Sequence, residues 1–448
     1  MNTRRTEVVL SIPETRTKEQ MYVQSSNNLM EKVIERANLK KALKRVRSNK
    51  GAPGTDGMQT KELYAYLRKN WTQLKEELLG GTYKPSPVRR VGIPKPGGGV
   101  RQLGIPTVLD RFIQQAIQQV LTRIFDPQFS TESYGFRPKH SARQAVELAQ
   151  THIQGGKHWV VDMDLEKFFD RVNHDILMYK LSREVKDKRV LRIIRRYLES
   201  GAMLNGVCVK TEEGTPQGGP LSPLLANIML NDLDKELSER GHSFVRYADD
   251  CNIYVSSNRA GQRVFASISR FIKDKLRLQV NEGKSAVDAP WKRKFLGFSF
   301  YKTDSSIKLR VAPKSLERLK ERIRQLTKRN VSMNMKRRIR KLNEYLIGWS
   351  GYFAIAENRT MFQGLDGWIR RRLRMCLLKQ WKKCKTKLRN LKRLGIPEKW
   401  GGRIACSRKM YWRLANTPQI NKALGNAYWH NQGLVSLVDR YQKVRMIL

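Results

Sequence analysis

The stretch that decides the fold is Phe244-Val245-Arg246-Tyr247-Ala248-Asp249-Asp250-Cys251-Asn252-Ile253-Tyr254-Val255. Residues of high β-propensity flank Tyr-Ala-Asp-Asp on both sides, so it reads as a hairpin with Asp249 and Asp250 at its tip. Two adjacent carboxylates on an exposed turn repel each other. They become favourable when divalent cations lie between them and the phosphates of a substrate. Alone, Asp-Asp in a turn is common and is most often just solvated. The remainder of the chain supplies the support.

Upstream, His158–Leu165 reads as a central strand. Alternation puts Trp159, Val161 and Met163 on one face and Val160, Asp162 and Asp164 on the other. A carboxylate at the end of a buried strand is costly unless it is paired or metal-bound. Asp164 is therefore the expected metal ligand, with Asp162 the fallback. Phe169, five residues on, could cover the sugar of an incoming nucleotide, and Leu165 is counted with it among the nucleotide-binding residues. Downstream, Asn281-Glu282-Gly283-Lys284-Ser285 offers Lys284 to a phosphate or a leaving group.

Two glycine-rich stretches sit between these acids and the N-terminus. Ile93–Pro106 reads as two short strands with a glycine-rich tip flanked by Lys95 and Arg101, whose charges suit a triphosphate. Gly214–Pro223 opens a helix running through Leu233. Its glycines permit a close backbone approach to a ligand, and Gln217 could bond a base or sugar. A further turn-rich loop, Lys50–Gly57, separates helical segments near residues 28–48 and 61–79. More helices are expected at 110–125 and 260–276, and a short aromatic strand at Phe295–Phe300.

Charge is the outlier in composition. The 448 residues hold 88 Lys+Arg against 40 Asp+Glu, a net of +48. Residues 301–448 alone hold 37 basic and 8 acidic side chains, about three times the basic excess per residue of the first 300. Such a balance implies a polyanionic partner. Leu316, Leu319, Ile323 and Leu326 form an apolar stripe amid basic residues including Arg318 and Arg322. A later helix carries Arg370, Arg371 and Arg374, and these five arginines are the expected nucleic-acid contacts. The five cysteines are scattered, with no Cys-x-x-Cys pair, which argues against a disulfide framework or a zinc finger. No apolar run of about 18 residues is present, and no signal-peptide core. A cytoplasmic or nucleoid-associated protein without a membrane partner is expected.

Taken together, Lys50–Gly57, Ile93–Pro106, Val161–Asp170, Thr215–Pro223, Tyr247–Asp250, Asn281–Ser285, Phe295–Phe298 and Gly348–Phe353 resemble, in order, a group II intron reverse transcriptase/maturase. The resemblance implies an α/β (α+β) right-hand polymerase. A flexible arm (1–27) would precede fingers and palm (28–310, with an N-terminal extension at 28–81). An α-helical thumb, domain X (311–397), and a small basic DNA-binding domain (398–448) would follow. It maps the catalytic triad onto Asp164, Asp249 and Asp250, holding two Mg²⁺ ions, and the sugar gate onto Phe169. Expected partners are dNTPs, an RNA template with a DNA primer, the intron RNA and target DNA. The chain ends at Leu448 without a Cys-rich endonuclease motif, so the compact, endonuclease-lacking class is expected. The alternatives are a catalytically silent RNA-binding splicing cofactor and a domesticated polymerase in repair or defence.

Overall fold

The computed structural model describes residues 28–94, 98–204, 207–209, 214, 218–304 and 306–447. Lys95 and Gln217 lie outside the described residues, as does residues 1–27, the expected arm. The chain divides into two compact units. One comprises the residues up to Ser141 and Val161–Val287; the other comprises Ala142–Val160 and Asp288–Leu448.

The first unit is built around two largely buried helices. Val108–Phe125 starts where Thr107 accepts a hydrogen bond from the Asp110 amide, and it buries Phe112, Ile113, Ala116, Ile117, Val120 and Leu121. The helical segment expected near 28–48 is two helices, Leu29–Ile34 and Arg36–Asn49, because Glu35 adopts an extended ψ of 134° between them. The second of these packs on Val108–Phe125. Asn38 fixes the contact, donating to the Ala116 carbonyl at 3.0 Å and accepting from Gln119 at 2.8 Å.

The chain also forms two four-stranded sheets. The first has the order β2-β1-β4-β5, with β1 Val88–Pro94, β2 Val100–Ile105, β4 Ala202–Leu204 and β5 Val207–Val209. β1 and β2 form the expected hairpin, pairing Arg89 with Ile105 through Pro94 with Val100. The second has the order β6-β7-β3-β8, with β3 Trp159–Met163, β6 Ser243–Tyr247, β7 Asp250–Val255 and β8 Ala286–Asp288. The helix Ser222–Glu239, buried along most of its length, packs on β6.

In the second unit, β9 Phe298–Lys302 and β10 Ile307–Val311 make a separate antiparallel hairpin. Three helices follow at Pro313–Leu326, Met335–Phe353 and Arg359–Gln380, where amphipathic segments are expected. An aromatic core joins Phe298 to Phe353 (ring centroids 5.0 Å apart), Phe353 to Trp349 (4.8 Å) and Phe362 to Tyr441 (4.7 Å). The last helix, Leu437–Ile447, docks on this bundle through its N-terminus. Its Leu437 and Val438 amides donate to the buried Asp366 carboxylate at 2.9 and 3.2 Å, as an anion at a helix start favours. Among the described residues, no helix is long and apolar enough to cross a membrane.

Candidate active site at the ends of β3 and β7

The β6–β7 register pairs Tyr247 with Asp250, so Ala248 and Asp249 form a two-residue turn. Asp249 sits in the turn and Asp250 opens β7. Ala248 has φ +58°, a conformation that such turns ordinarily assign to glycine.

β7 lies next to β3 in the sheet. In its flipped orientation the Asn252 amide donates to Asp162 at 3.2 Å. A Cβ on Gly261 would lie 3.5 Å from Val255 and 3.7 Å from Val161, so these two side chains share a face of the sheet. Both contacts are met when β3 and β7 run antiparallel, which brings Asp164, just past the end of β3, alongside Asp250 at the start of β7. The fallback Asp162 is tied to Asn252 farther along the strand, and Asp164 is the acid nearer the turn.

Asp164 is held by the segment Asn281–Ser285. The Asn281 amide donates to the Asp164 carbonyl at 2.8 Å, and the Asp164 amide donates to Ser285 Oγ at 2.9 Å. Lys284 Nζ lies 3.5 Å from Asp164 Oδ1, so this carboxylate already faces a cation. Among the described residues, no group of three or more His, Cys, Asp or Glu side chains converges to hold an ion unaided. The donor chemistry nonetheless fits a hard divalent cation, which takes oxygen ligands and shares them with substrate phosphates.

Phe169 is half-buried beside the site, edge-on to the buried Phe168 at 5.1 Å. Gly214 lies so close to Phe169 and Asp170 that a Cβ would meet the Phe169 carbonyl at 2.8 Å. A Cβ on Gly218 would meet the Gly104 carbonyl at 2.5 Å. Gly214 thus packs against the chain that follows β3 and Gly218 against β2, and a residue without a Cβ is required at both. On β2, Arg101 pairs with Ile93. The Leu165 side chain is buried, and its backbone bridges to Val280.

The basic residues of the second unit divide. Arg318 and Arg322 are exposed on the helix Pro313–Leu326. Arg370 is half-exposed, while Arg371 stacks on Trp412 with its guanidinium carbon 3.9 Å from the ring centroid. Arg374 is buried, with an Nη1 bond of 3.4 Å to the Leu424 carbonyl. Burial, with Arg370 and Arg371 nearby, lowers its pKa to about 10. It is a packing residue in this structure, not the surface contact expected.

One residue close to the site had no expected role. Arg246 on β6 is fully buried and pairs with Asp234, also fully buried, on the helix Ser222–Glu239. Burial works to lower its pKa, but the Asp234 carboxylate outweighs this and the pKa rises, so the guanidinium stays charged. A signal was present in the sequence: Asn227, Asn231 and Asp234 recur at spacings of four and three within an otherwise apolar helix, a polar stripe that needs a buried partner.

Cys251, beside Asp250, is buried. Burial, then the nearby Asp234 charge, pushes its thiol up to about 12. Cys376 is buried and raised for the same first reason, whereas Cys384 and Cys406 are exposed. Of these four, iodoacetamide at pH 8 should label Cys384 and Cys406 in the native protein and spare Cys251 and Cys376, because only the thiolate reacts. Peptide mapping checks this; labelling of Cys251 at that pH would contradict its placement.

Residues 93–300 match the reverse transcriptase (RNA-dependent DNA polymerase) family, and residues 316–395 match the group II intron maturase-specific domain. Protein YkfC of Escherichia coli K12 is 40% identical over 199 residues, covering 43% of this chain and 52% of that protein. The group II intron-encoded protein LtrA of Lactococcus lactis subsp. cremoris is 39% identical over 189 residues, covering 42% of this chain and 31% of LtrA. The "Putative COX1/OXI3 intron 1 protein" of Saccharomyces cerevisiae is 34% identical over 222 residues, covering 48% of this chain and 26% of that protein. The chain thus spans about half the length of YkfC and less of the other two. Fold, site and matched domains together define a protein of the reverse transcriptase class. With the maturase-specific domain following in order, the chain fits a group II intron reverse transcriptase/maturase.

Proposed function

We propose that this protein is an RNA-directed DNA polymerase that extends a DNA primer along an RNA template with dNTPs. It also binds a group II intron RNA as a maturase, promoting splicing and mobility by target-primed reverse transcription. The observation that carries the reading is a reverse transcriptase domain followed in order by a maturase-specific domain; the Asp164 carboxylate facing Lys284 at 3.5 Å supports it.

The residues take the following roles in this reading. Asp164, Asp249 and Asp250 would hold two Mg²⁺ ions. When bound, such ions lower the pKa of the primer 3′-OH and offset charge on the transferred phosphoryl group. Lys95 and Arg101 grip the triphosphate, and Gln217 contacts the base or sugar. Phe169 sits under the sugar, where a 2′-hydroxyl would collide with its ring. Lys284 leaves Asp164 to face the leaving pyrophosphate and offer it a proton. Residues 28–310 serve as fingers and palm, 311–397 as thumb, and 398–448 contact DNA. The thumb face bearing Arg318, Arg322 and Arg370 tracks RNA phosphates. The protein acts in the cytoplasm or at the nucleoid.

Primer extension tests the reading. With an RNA template, an annealed DNA primer, dNTPs and Mg²⁺, full-length DNA is expected. Intron binding with no DNA product would overturn the polymerase reading and leave an RNA-binding splicing cofactor.

A further inference from the structure

Beneath the Asp249–Asp250 turn lies a buried polar network whose ordering exceeds what a sheet requires. The Arg246 guanidinium uses all five of its N–H donors. Nε and Nη2 donate to the two Asp234 oxygens at 2.6 and 2.5 Å, and Nη1 donates to Asn227 Oδ1 at 3.0 Å. Nη1 also reaches the Ala248 carbonyl at 2.8 Å, and Nη2 reaches Ser133 Oγ at 2.8 Å. Asn227 in turn donates from Nδ2 to the Gly135 carbonyl at 2.8 Å.

The chain at Ser133–Gly135 is strapped to the same turn from the other side. Ser133 bridges Arg246 as a parallel strand, the Tyr134 amide donates to the Arg246 carbonyl at 2.9 Å, and the Arg246 amide donates to the Glu132 carbonyl at 3.0 Å. Gly135 then abuts the turn so closely that a Cβ there would lie 2.3 Å from the Ala248 nitrogen. Ala248 is the residue held at positive φ, a conformation an alanine adopts only when its surroundings over-determine it. One guanidinium thus bonds the carbonyl of the strained residue, and one glycine backs its amide.

We propose that Arg246, with Asp234, Asn227, Ser133 and Gly135, is a positioning device that locks Ala248 in its left-handed conformation and so sets where Asp249 and Asp250 stand relative to Asp164. This deepens the polymerase reading and rests on it. None of these side chains needs to touch the substrate. The network acts through the backbone of the turn, and its closed set of hydrogen bonds leaves the turn one arrangement.

Two substitutions test it. Arg246→Lys keeps a positive charge opposite Asp234 but cannot bond Asp234, Asn227, Ser133 and the Ala248 carbonyl together. Gly135→Ala leaves the ion pair intact and presses a methyl group on the Ala248 amide. In both, kcat for dNTP addition should fall about tenfold to a hundredfold, as misplacement of reacting groups by about 1 Å does. The dNTP KM should stay within about twofold, and the Mg²⁺ concentration for half-maximal rate should rise. RNA affinity should match the parent protein. Hydrogen exchange should quicken at residues 246–250 while the helix Val108–Phe125 keeps its protection.

Unchanged kcat and unchanged exchange at the turn in Gly135→Ala would overturn the proposal, as would a uniform rise in exchange across the unit in both variants, which marks a purely structural role. If Arg246→Lys does not fold, Gly135→Ala decides alone. If the parent protein makes no DNA, the function proposed above fails. The exchange result still decides whether the network fixes the turn.

Discussion

Asp249→Asn is expected to lower primer extension on the order of 10³-fold or more while leaving intron RNA affinity within about twofold. The substitution is nearly isosteric, so the two-residue turn between Tyr247 and Asp250 can persist. What changes is charge: an amide oxygen binds a hard divalent cation far less well than a carboxylate. In the proposed reading RNA is bound by other surfaces, chiefly exposed basic side chains such as Arg318 and Arg322 on a different element. Single-turnover extension and a filter-binding titration on the same preparation separate the two. Parallel loss of both would mean that the turn is architectural. Persistence of extension would remove Asp249 from the metal site.

The second large effect is ionic. Affinity for intron RNA should fall roughly 10³-fold between 50 and 200 mM salt, because a protein that displaces six or more counterions from phosphates loses that much binding. The expectation follows from 37 basic against 8 acidic residues in 301–448. Eight acids cannot neutralise 37 basic side chains within this region, even where they pair, as Glu398 does with Lys392 at 2.6 Å. The slope should decrease by about 0.7–0.9 for each phosphate-contacting arginine replaced by alanine. Arg318→Ala and Arg322→Ala should each show this. Arg374→Ala should instead lower thermal stability, because its guanidinium is packed against Leu424. A flat salt response would leave the basic surface without a role.

How far the site was legible in the sequence depends on whether its signals are local. The turn at Asp249–Asp250 was legible because strand propensity on both sides and a single polar break define a hairpin within twelve residues. Asp164 was legible because a carboxylate closes an apolar run. That Asn281–Ser285 holds Asp164 was not legible, since the two segments lie over a hundred residues apart and nothing local links them.

The misreadings share a physical cause: burial from several sides erases the periodicity that marks a free face. The helix Arg359–Gln380 buries Leu373 through Leu378 in succession, with the C-terminal helix and the Tyr411–Leu414 turn packed against it, so Arg374 could not be told from an exposed arginine by spacing. The break at Glu35 has no Gly or Pro to announce it. Arg246 was hidden because its partners come from Ser133, Asn227 and Asp234, and only the fold brings them together.

The claim on which the account stands is that Asp164 and the Asp249–Asp250 turn share bound divalent ions. Replacing Mg²⁺ with Fe²⁺ in the ternary complex with primer–template and dNTP, then adding ascorbate and peroxide, cuts the polypeptide next to the bound iron. The account predicts two cuts suppressed together by excess Mg²⁺, one near residue 164 and one near residues 249–250. Cleavage at one of these places without the other would contradict it.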